Sequence, residues 1–367
     1  MDKQRLREKY LRAFDFARTQ LRHLVTAYPD AFPMVTEGGK WKIGGESWTN
    51  WCEGFLGGQL WLIAGRDSDP FWQEKAEHYS RLLEERKHDR TVHDLGFLFW
   101  STWKRWYDRT GDPAIHRVVV EAGQTLALRF KEKGGYLRSF VSDDSLFIDI
   151  MMNVGIIFYA AQQTGDPALL RVATQHSLTT RRYLVRGDGS TSHEGLFNTE
   201  TGEFIRQSTH QGWRDDSSWA RGLCWALYGF GTVYEFTRDP RFLQTAEQCA
   251  AYYVEHTPDH GVPPNDWSEP NPTLPYESSA AAIAASGMLN LARLTPDPLR
   301  SRFYREYAHR ILDTLTEPEF LASETTGWEG LLKHGMYHQR KGLGVDESVM
   351  WGDHFFLEAL DKALDDV

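Results

Sequence analysis

The chain has 367 residues and a formal net charge of −10, which argues against nucleic acid as a partner. Its longest apolar stretches are interrupted by Gly, Arg or Asp and are too short to span a membrane, and the N-terminus lacks the apolar core of a signal peptide. Three cysteines without paired spacing indicate buried thiols in a reducing compartment, so we expect a cytoplasmic protein.

The first predicted element is a helix over residues 3–28. After it, a short motif of small or polar residues ending in Asp-Pro occurs five times between helical segments. The Asp caps the following helix, and the Pro occupies the first helical position, where its missing N–H is not needed. Each motif therefore predicts a tight turn between two helices. Short extended pieces are expected near 183–184 and 204–205. The five copies end at Pro70, Pro113, Pro167, Pro240 and Pro298.

The helices before and after these turns differ in character. Segments 95–100 and 280–285 are apolar on nearly all sides, as buried helices are, whereas 71–79 alternates apolar and charged residues at helical spacing. A last apolar helix at 351–360 has only the N-terminal helix left to cover it. Six inner and six outer helices then close into a double toroid, so we predict an all-α (α/α)6 barrel with residues 1–367 as one domain.

Two acidic residues begin inner helices: Asp94 the second and Asp149 the third. Each has an ordinary explanation as an N-cap. However, Asp149 lies between apolar residues, where an uncompensated carboxylate is costly. Neighbouring inner helices also start at the same end, which brings the two side chains together. Close carboxylates push their pKa values apart, so one keeps a proton near neutral pH, as acid/base catalysis requires.

Aromatic residues concentrate where inner helices begin, and they indicate either core packing or a funnel whose flat faces suit sugar rings. They are Trp48, Trp51, Phe55, Trp213, Trp219, Trp225, Trp328 and Trp351.

Polar residues near the fourth inner helix complete the candidate set. His193 follows a turn at 188–192, and a Ser217 or Asp216 cap places Arg221 in the first helical turn. Arg221 either pairs with Asp215 or Asp216 or binds a substrate carboxylate. A zinc motif, a dinucleotide fingerprint, a nucleophile elbow and a Walker loop are all missing from the sequence.

With these motifs in order, the chain resembles glycoside hydrolase family 88, the unsaturated glucuronyl hydrolases, over nearly its whole length. The blocks that carry the resemblance are Trp51 with Gly54-Phe55, HDLGF at 93–97, IDIMMN at 148–153, DGST at 188–191 with His193, Gln211-Gly212, WARG at 219–222 with Trp225, SSAAAIAA at 278–285 and WGD at 351–353.

The resemblance implies an (α/α)6 barrel and hydration of the C4=C5 vinyl ether in an unsaturated uronic acid left by polysaccharide lyases. Asp149 is then the general acid/base and Asp94 its partner, with no metal or organic cofactor. The implied partner is an anionic unsaturated oligosaccharide, handled by a monomer or homodimer without membrane contact. The implied substrate-binding residues are His193, Gln211, Arg221, Trp219, Trp225, Trp51 and Phe55.

Several alternatives stay open at this point. An unsaturated rhamnogalacturonyl hydrolase shares the role of Asp149, a sugar epimerase needs paired His residues at inner-helix ends, and a non-catalytic sugar-binding ring needs no buried Asp149. Phe140 stands where the family favours Trp, and Glu277 replaces a shorter acid as a helix cap. The basic loop 333–341 either is solvated or binds a sulfate or second carboxylate. Hyaluronan, chondroitin, heparin, gellan and ulvan fragments all end in the same uronate.

Overall fold

The structure, a computed structural model, describes residues 2–44, 50–272, 274 and 276–367, so Trp48 lies outside the described residues. The α-helices are α1 Lys3–Ala27, α2 Gly54–Arg66, α3 Pro70–Arg81, α4 Leu95–Phe99, α5 Arg105–Thr110, α6 Pro113–Ala127, α7 Ile150–Asn153, α8 Gly155–Thr164, α9 Pro167–Leu184, α10 Ala220–Thr237, α11 Pro240–His256, α12 Ser278–Leu294, α13 Pro298–Leu315 and α14 Met350–Leu364.

Short elements connect these helices. A π-helical turn, Trp100–Lys104, joins α4 to α5, and 3-10 turns lie at Glu84–His88, Ala322–Glu324 and Gln339–Lys341. Antiparallel pairing gives the sheets β1-β2, β3-β4, β5-β6-β7 and β8-β9. The strands are β1 Thr36–Glu37, β2 Lys40–Trp41, β3 Phe130–Lys131, β4 Tyr136–Leu137, β5 Ser145–Phe147, β6 Glu194–Phe197, β7 Phe204–Ser208, β8 Gly335–His338 and β9 Leu343–Glu347.

The five Asp-Pro turns are confirmed. In each, an Asp carboxylate accepts the backbone N–H two residues ahead, and the Pro begins the next helix. Gly111 and Gly165 end the preceding helices in left-handed conformation, with φ of 65° and 69°. The capping residues are Asp69, Asp112, Asp166, Asp239 and Asp297.

The described residues divide into two compact units. The first comprises Met1–Leu82, His256–Asn265 and Pro272–Val367. In it the apolar helices α2, α12 and α14 pack together with the amphipathic helices α1, α3 and α13. Helix α1 contacts α14, as the sequence predicts. Glu277 caps α12 by accepting the N–H groups of Ser279 and Ala280.

The second unit comprises Leu83–Glu255 and Asp266–Asn271. Its apolar helical segments are α4 with α5, α7 with α8, and α10, and its amphipathic helices are α6, α9 and α11. Each unit therefore supplies three of the six predicted inner helices and three of the outer ones. The prediction of one domain over 1–367 stays a prediction.

Residues 183–184 end α9, and the extended piece predicted near them begins at Val185, which pairs with Thr191. Strand β7 confirms the extended piece at 204–205. Two other local predictions are wrong. The basic segment 333–341 is not an open loop but contributes β8 to a hairpin with β9. Helix α10 has Trp219 at its N-cap, because the Ser217 hydroxyl donates to Asp266 Oδ2 at 2.6 Å.

Among the described residues, no helix has both the length and the hydropathy that a membrane crossing needs. Cys52, Cys224 and Cys249 are buried thiols, as predicted.

Candidate active site

Asp94 and Asp149 occupy the N-cap positions of α4 and α7, but neither side chain forms a capping hydrogen bond. The ordinary explanation of these acids as helix caps therefore does not hold. The Asp94 side chain is 5% exposed, whereas the Asp149 side chain keeps 14% of its area accessible. Oδ2 of Asp149 is buried and accepts no hydrogen bond from the described residues, so this oxygen is left unsatisfied.

A close contact between the two helices brings these carboxyl groups together. A Cβ on Gly96 would lie 2.5 Å from the Cα of Asn153, so only Gly allows this approach. Asn153 accepts the N–H of Phe97 at 2.8 Å and donates to the carbonyl of Asp149 at 3.2 Å. The sequence reasoning missed Asn153, whose signal is a buried amide four residues after Asp149.

A histidine lies beside each carboxyl group. His193 Nδ1 accepts the backbone N–H of His210 at 3.0 Å, which leaves the ring proton on Nε2, 3.6 Å from Asp149 Oδ2. His93 repeats this arrangement beside Asp94, with its Nε2 3.4 Å from Oδ1. The Phe147 ring lies against both imidazoles, at centroid distances of 5.7 and 4.5 Å.

Arg221 is almost fully buried, at 1% exposure, and it stacks over the ring of Trp219 with Cζ 4.4 Å from the centroid. Its Nη2 donates to Gln211 Oε1 at 2.5 Å. Asp215 and Asp216, the alternative partners predicted for Arg221, pair with Arg206 and Arg214, at 3.0 and 2.5 Å.

The electrostatics of the two acids differ. Burial first, and the Asp149 charge second, raise the pKa of Asp94 to about 8. Burial also raises the pKa of Asp149, to about 6, while the charge of Arg221, a backbone hydrogen bond and the nearby His210 limit the rise. Asp94 therefore keeps a proton at neutral pH, and Asp149 exchanges its proton close to neutrality.

Trp219 is 2% exposed, and its indole Nε1 is buried without a hydrogen-bond partner among the described residues. Trp225 is fully buried and packs against Phe97, with centroids 5.1 Å apart. The stacking roles expected of both Trp residues stay predictions.

Trp51 and Phe55 belong to the first unit. There the Trp51 ring lies 4.8 Å from Trp351, and Phe55 packs against His354 and Phe355. Their part in substrate binding stays a prediction.

Sequence reasoning also missed Glu194, which is buried on β6. Its Oε1 accepts from Ser145 Oγ at 2.5 Å, and its Oε2 lies 3.2 Å from His210 Nε2. Burial opposes ionisation, but hydrogen bonds from His210 and Ser145 outweigh it and lower the pKa of Glu194. His210 is thereby held beside Asp149. Only its place in a short strand marks Glu194 in the sequence.

The arrangement combines a protonatable carboxyl with N–H and guanidinium donors. Carboxyl pairs of unequal pKa serve proton transfer, and a buried guanidinium favours an anion. Within the described ranges, no group of three or more His, Cys, Asp or Glu side chains is placed to hold a metal ion.

Comparison with known proteins gives a consistent result. The model of glycosyl hydrolase family 88 matches residues 33–260. The unsaturated glucuronyl hydrolase of Bacillus sp. (strain GL1) is 33% identical over 346 residues, covering 91% of each chain. That of Formosa agariphila is 32% identical over 322 residues, covering 85% of this chain and 80% of the relative.

A crystal structure of an unsaturated glucuronyl hydrolase specific for heparin superposes with a TM-score of 0.91 at 27% identity, covering 98% of this chain and 97% of that one. This match confirms the predicted (α/α)6 fold class. The chain is a glycosidase and belongs to glycosyl hydrolase family 88.

Proposed function

We propose that this chain is an unsaturated glucuronyl hydrolase that removes the 4,5-unsaturated uronic acid from the non-reducing end of lyase-made oligosaccharides. The observation that carries the proposal is the Asp149 carboxyl. Its Oδ2 has no hydrogen-bond partner among the described residues, its pKa is raised to about 6, and it lies beside His193 and within the field of Arg221. This is an acid/base group set in an anion-binding environment.

The proposed reaction is a hydration of the C4=C5 double bond. Protonated Asp149 gives its proton to C4, and the positive charge that develops at C5 is shared with the ring oxygen. Water then forms a bond to C5 while the Asp149 carboxylate takes the proton that it loses. The resulting hemiketal opens at the C5–ring oxygen bond, and the hemiacetal left at C1 releases the remaining saccharide. No bond is made to the anomeric carbon by the enzyme, so the usual retaining and inverting geometries do not apply.

The other groups take supporting roles in this proposal. Asp94, which keeps its proton at neutral pH, donates a hydrogen bond to a substrate hydroxyl and leaves Asp149 as the exchanging acid. Arg221 and Gln211, already hydrogen-bonded to each other, bind the uronate carboxylate together with His193. Because the whole chain carries a net charge of −10, the cationic groups near Asp149 must attract the anion locally.

The test is a panel of lyase-made disaccharides from hyaluronan, chondroitin, heparin, gellan, ulvan and rhamnogalacturonan, followed by loss of the ultraviolet absorbance of the double bond. We expect turnover of glucuronate-terminated members and release of the second sugar. Turnover of the rhamnogalacturonan product alone would assign the chain to pectin breakdown. Binding of the panel without any loss of absorbance would contradict the hydrolase and favour a sugar-binding protein.

A further inference from the structure

We propose that His93 is a positioning residue for the Asp94 carboxyl, which its Nε2–H group faces because the backbone of Phe140 fixes the imidazole tautomer. The inference rests on the proposed function for its catalytic meaning. The geometry of His93 itself does not depend on that function.

Two contacts define the tautomer. His93 Nδ1 accepts the N–H of Phe140 at 3.0 Å, so this nitrogen carries no proton. The ring proton is then on Nε2, which lies 3.4 Å from Asp94 Oδ1. His93 is 2% exposed, and burial lowers its pKa well below the ordinary value, with the charge of Arg129 as a second cause. The imidazole is therefore a neutral, oriented donor.

Arg129 fixes the backbone on both sides of this contact. Its guanidinium donates to the carbonyl of Arg90 at 2.5 Å, before His93, and to the carbonyls of Arg138 and Ser139 at 3.0 and 2.5 Å, before Phe140. Arg129 is 2% exposed. One buried cation thus ties together the segment that carries His93 and the segment that sets its tautomer.

The charged and titratable groups around Asp94 come from several elements. Asp149 faces it from the start of α7, Arg86 and Asp89 from the 3-10 turn and its end, and Arg129 from the end of α6. His93 differs from these groups because it is neutral, and its Nε2–H lies 3.4 Å from Oδ1, where an N–H dipole favours the ionised carboxylate without bringing a charge. Losing that donor therefore raises the pKa of Asp94 further and releases the orientation of its side chain.

The experiment compares His93→Gln, His93→Asn and His93→Leu in the full chain. Gln carries an N–H donor near the place of Nε2, whereas Asn is too short to reach Asp94 and Leu has no donor. The titration of Asp94 is followed by carbonyl NMR of protein labelled with ¹³C-aspartate, and its signal is assigned with Asp94→Asn. His176→Leu is the matched control, because this equally buried His accepts the N–H of Leu137 at 3.1 Å from α9.

We expect His93→Asn and His93→Leu to move the Asp94 titration to higher pH and to lower kcat about tenfold with little change in KM. His93→Gln restores both values toward the wild type, and His176→Leu leaves the titration in place. An unmoved Asp94 titration in His93→Asn overturns the inference even if the Leu variant fails to fold. If the wild type turns over no unsaturated sugar, the proposed function fails, and the titration still decides the role of His93.

Discussion

The starts of α4 and α7 are two versions of one arrangement. In each, an Asp at the N-cap makes no capping bond, and a buried His turns Nε2 toward the carboxyl while its Nδ1 accepts a backbone N–H. The Phe147 ring lies against both imidazoles. Local geometry is therefore similar at Asp94 and at Asp149, although His93 adjoins Asp94 in sequence and His193 is distant from Asp149.

The surroundings of the two carboxyl groups differ. Asp94 is the more deeply buried and faces a second carboxylate, so its pKa rises to about 8. Asp149 keeps some accessible area, has one oxygen without a hydrogen bond, and lies in the field of Arg221 and His210, so its pKa rises only to about 6. The difference assigns the proton transfer to Asp149 and a supporting role to Asp94.

The largest expected effect tests this assignment directly. Asp149→Asn keeps the size of the side chain but removes the acid, so we expect turnover of an unsaturated disaccharide to fall by about 10³-fold while binding persists. Initial rates from ultraviolet absorbance and calorimetric binding measure the two effects.

Asp166→Asn is the matched control for this change, because Asn can cap α9 as Asp166 does. Position 166 follows the end of α8 and lies at the opposite end of the apolar helix from Asp149. Its rate should equal that of the wild type. An Asp149→Asn rate within tenfold of the wild type would move the acid role to another group.

The sequence predicts where Asp94 and Asp149 lie but predicts few of the contacts that hold them there. The helical repeat places Asp94 and Asp149 at the same ends of neighbouring helices, because Asp-Pro turns mark the opposite ends. Arg129 escapes prediction because its partners are backbone carbonyls, which every residue has. The start of α10 is mispredicted because Asp266, 49 residues away in sequence, binds the hydroxyl of Ser217 and removes it as a cap.

The next effect concerns Arg221, whose charge limits the rise of the Asp149 pKa. A general acid must be protonated, so wild-type kcat/KM should fall as pH rises through about 6. In Arg221→Gln this fall should move to higher pH, since the cation no longer favours the carboxylate. We also expect KM to rise and kcat/KM to drop about 100-fold, because a buried charge-assisted contact to the substrate is lost. Steady-state kinetics from pH 4.5 to about pH 8 measures both effects.

Arg221→Lys separates the two roles of this side chain. Lysine keeps the charge but not the planar fork, so the pH at which activity falls should stay near the wild-type value while KM rises. An equal shift of the pH profile in both variants would show that geometry, not charge, sets the Asp149 pKa.

A smaller effect tests the contact that joins the two helix starts. Gly96→Ala places a methyl group 2.5 Å from the Cα of Asn153, so the backbones must separate, and we expect a loss of about 2 kcal/mol in the free energy of unfolding. Denaturant melts measure this loss. Gly187→Ala, where a Cβ meets open space, is the control and should be neutral. Equal stability of the two variants would contradict the close approach.

The last effect, of similar size, is the pH dependence of stability at Asp94. Its pKa is raised from 3.8 to about 8 in the folded chain, so between these values the unfolded chain releases a proton that the folded chain keeps. Wild-type stability is therefore favoured below pH 3.8 and declines as pH rises toward 8. Asp94→Asn mimics the protonated carboxyl at every pH, so its stability relative to the wild type should rise across this range, by on the order of 2 kcal/mol. Urea melts at several pH values measure the difference, with Asp166→Asn as the control. A constant difference between pH 4 and about pH 8 would mean that Asp94 is ionised in the folded chain, and the distinction between the two carboxyl groups would be lost.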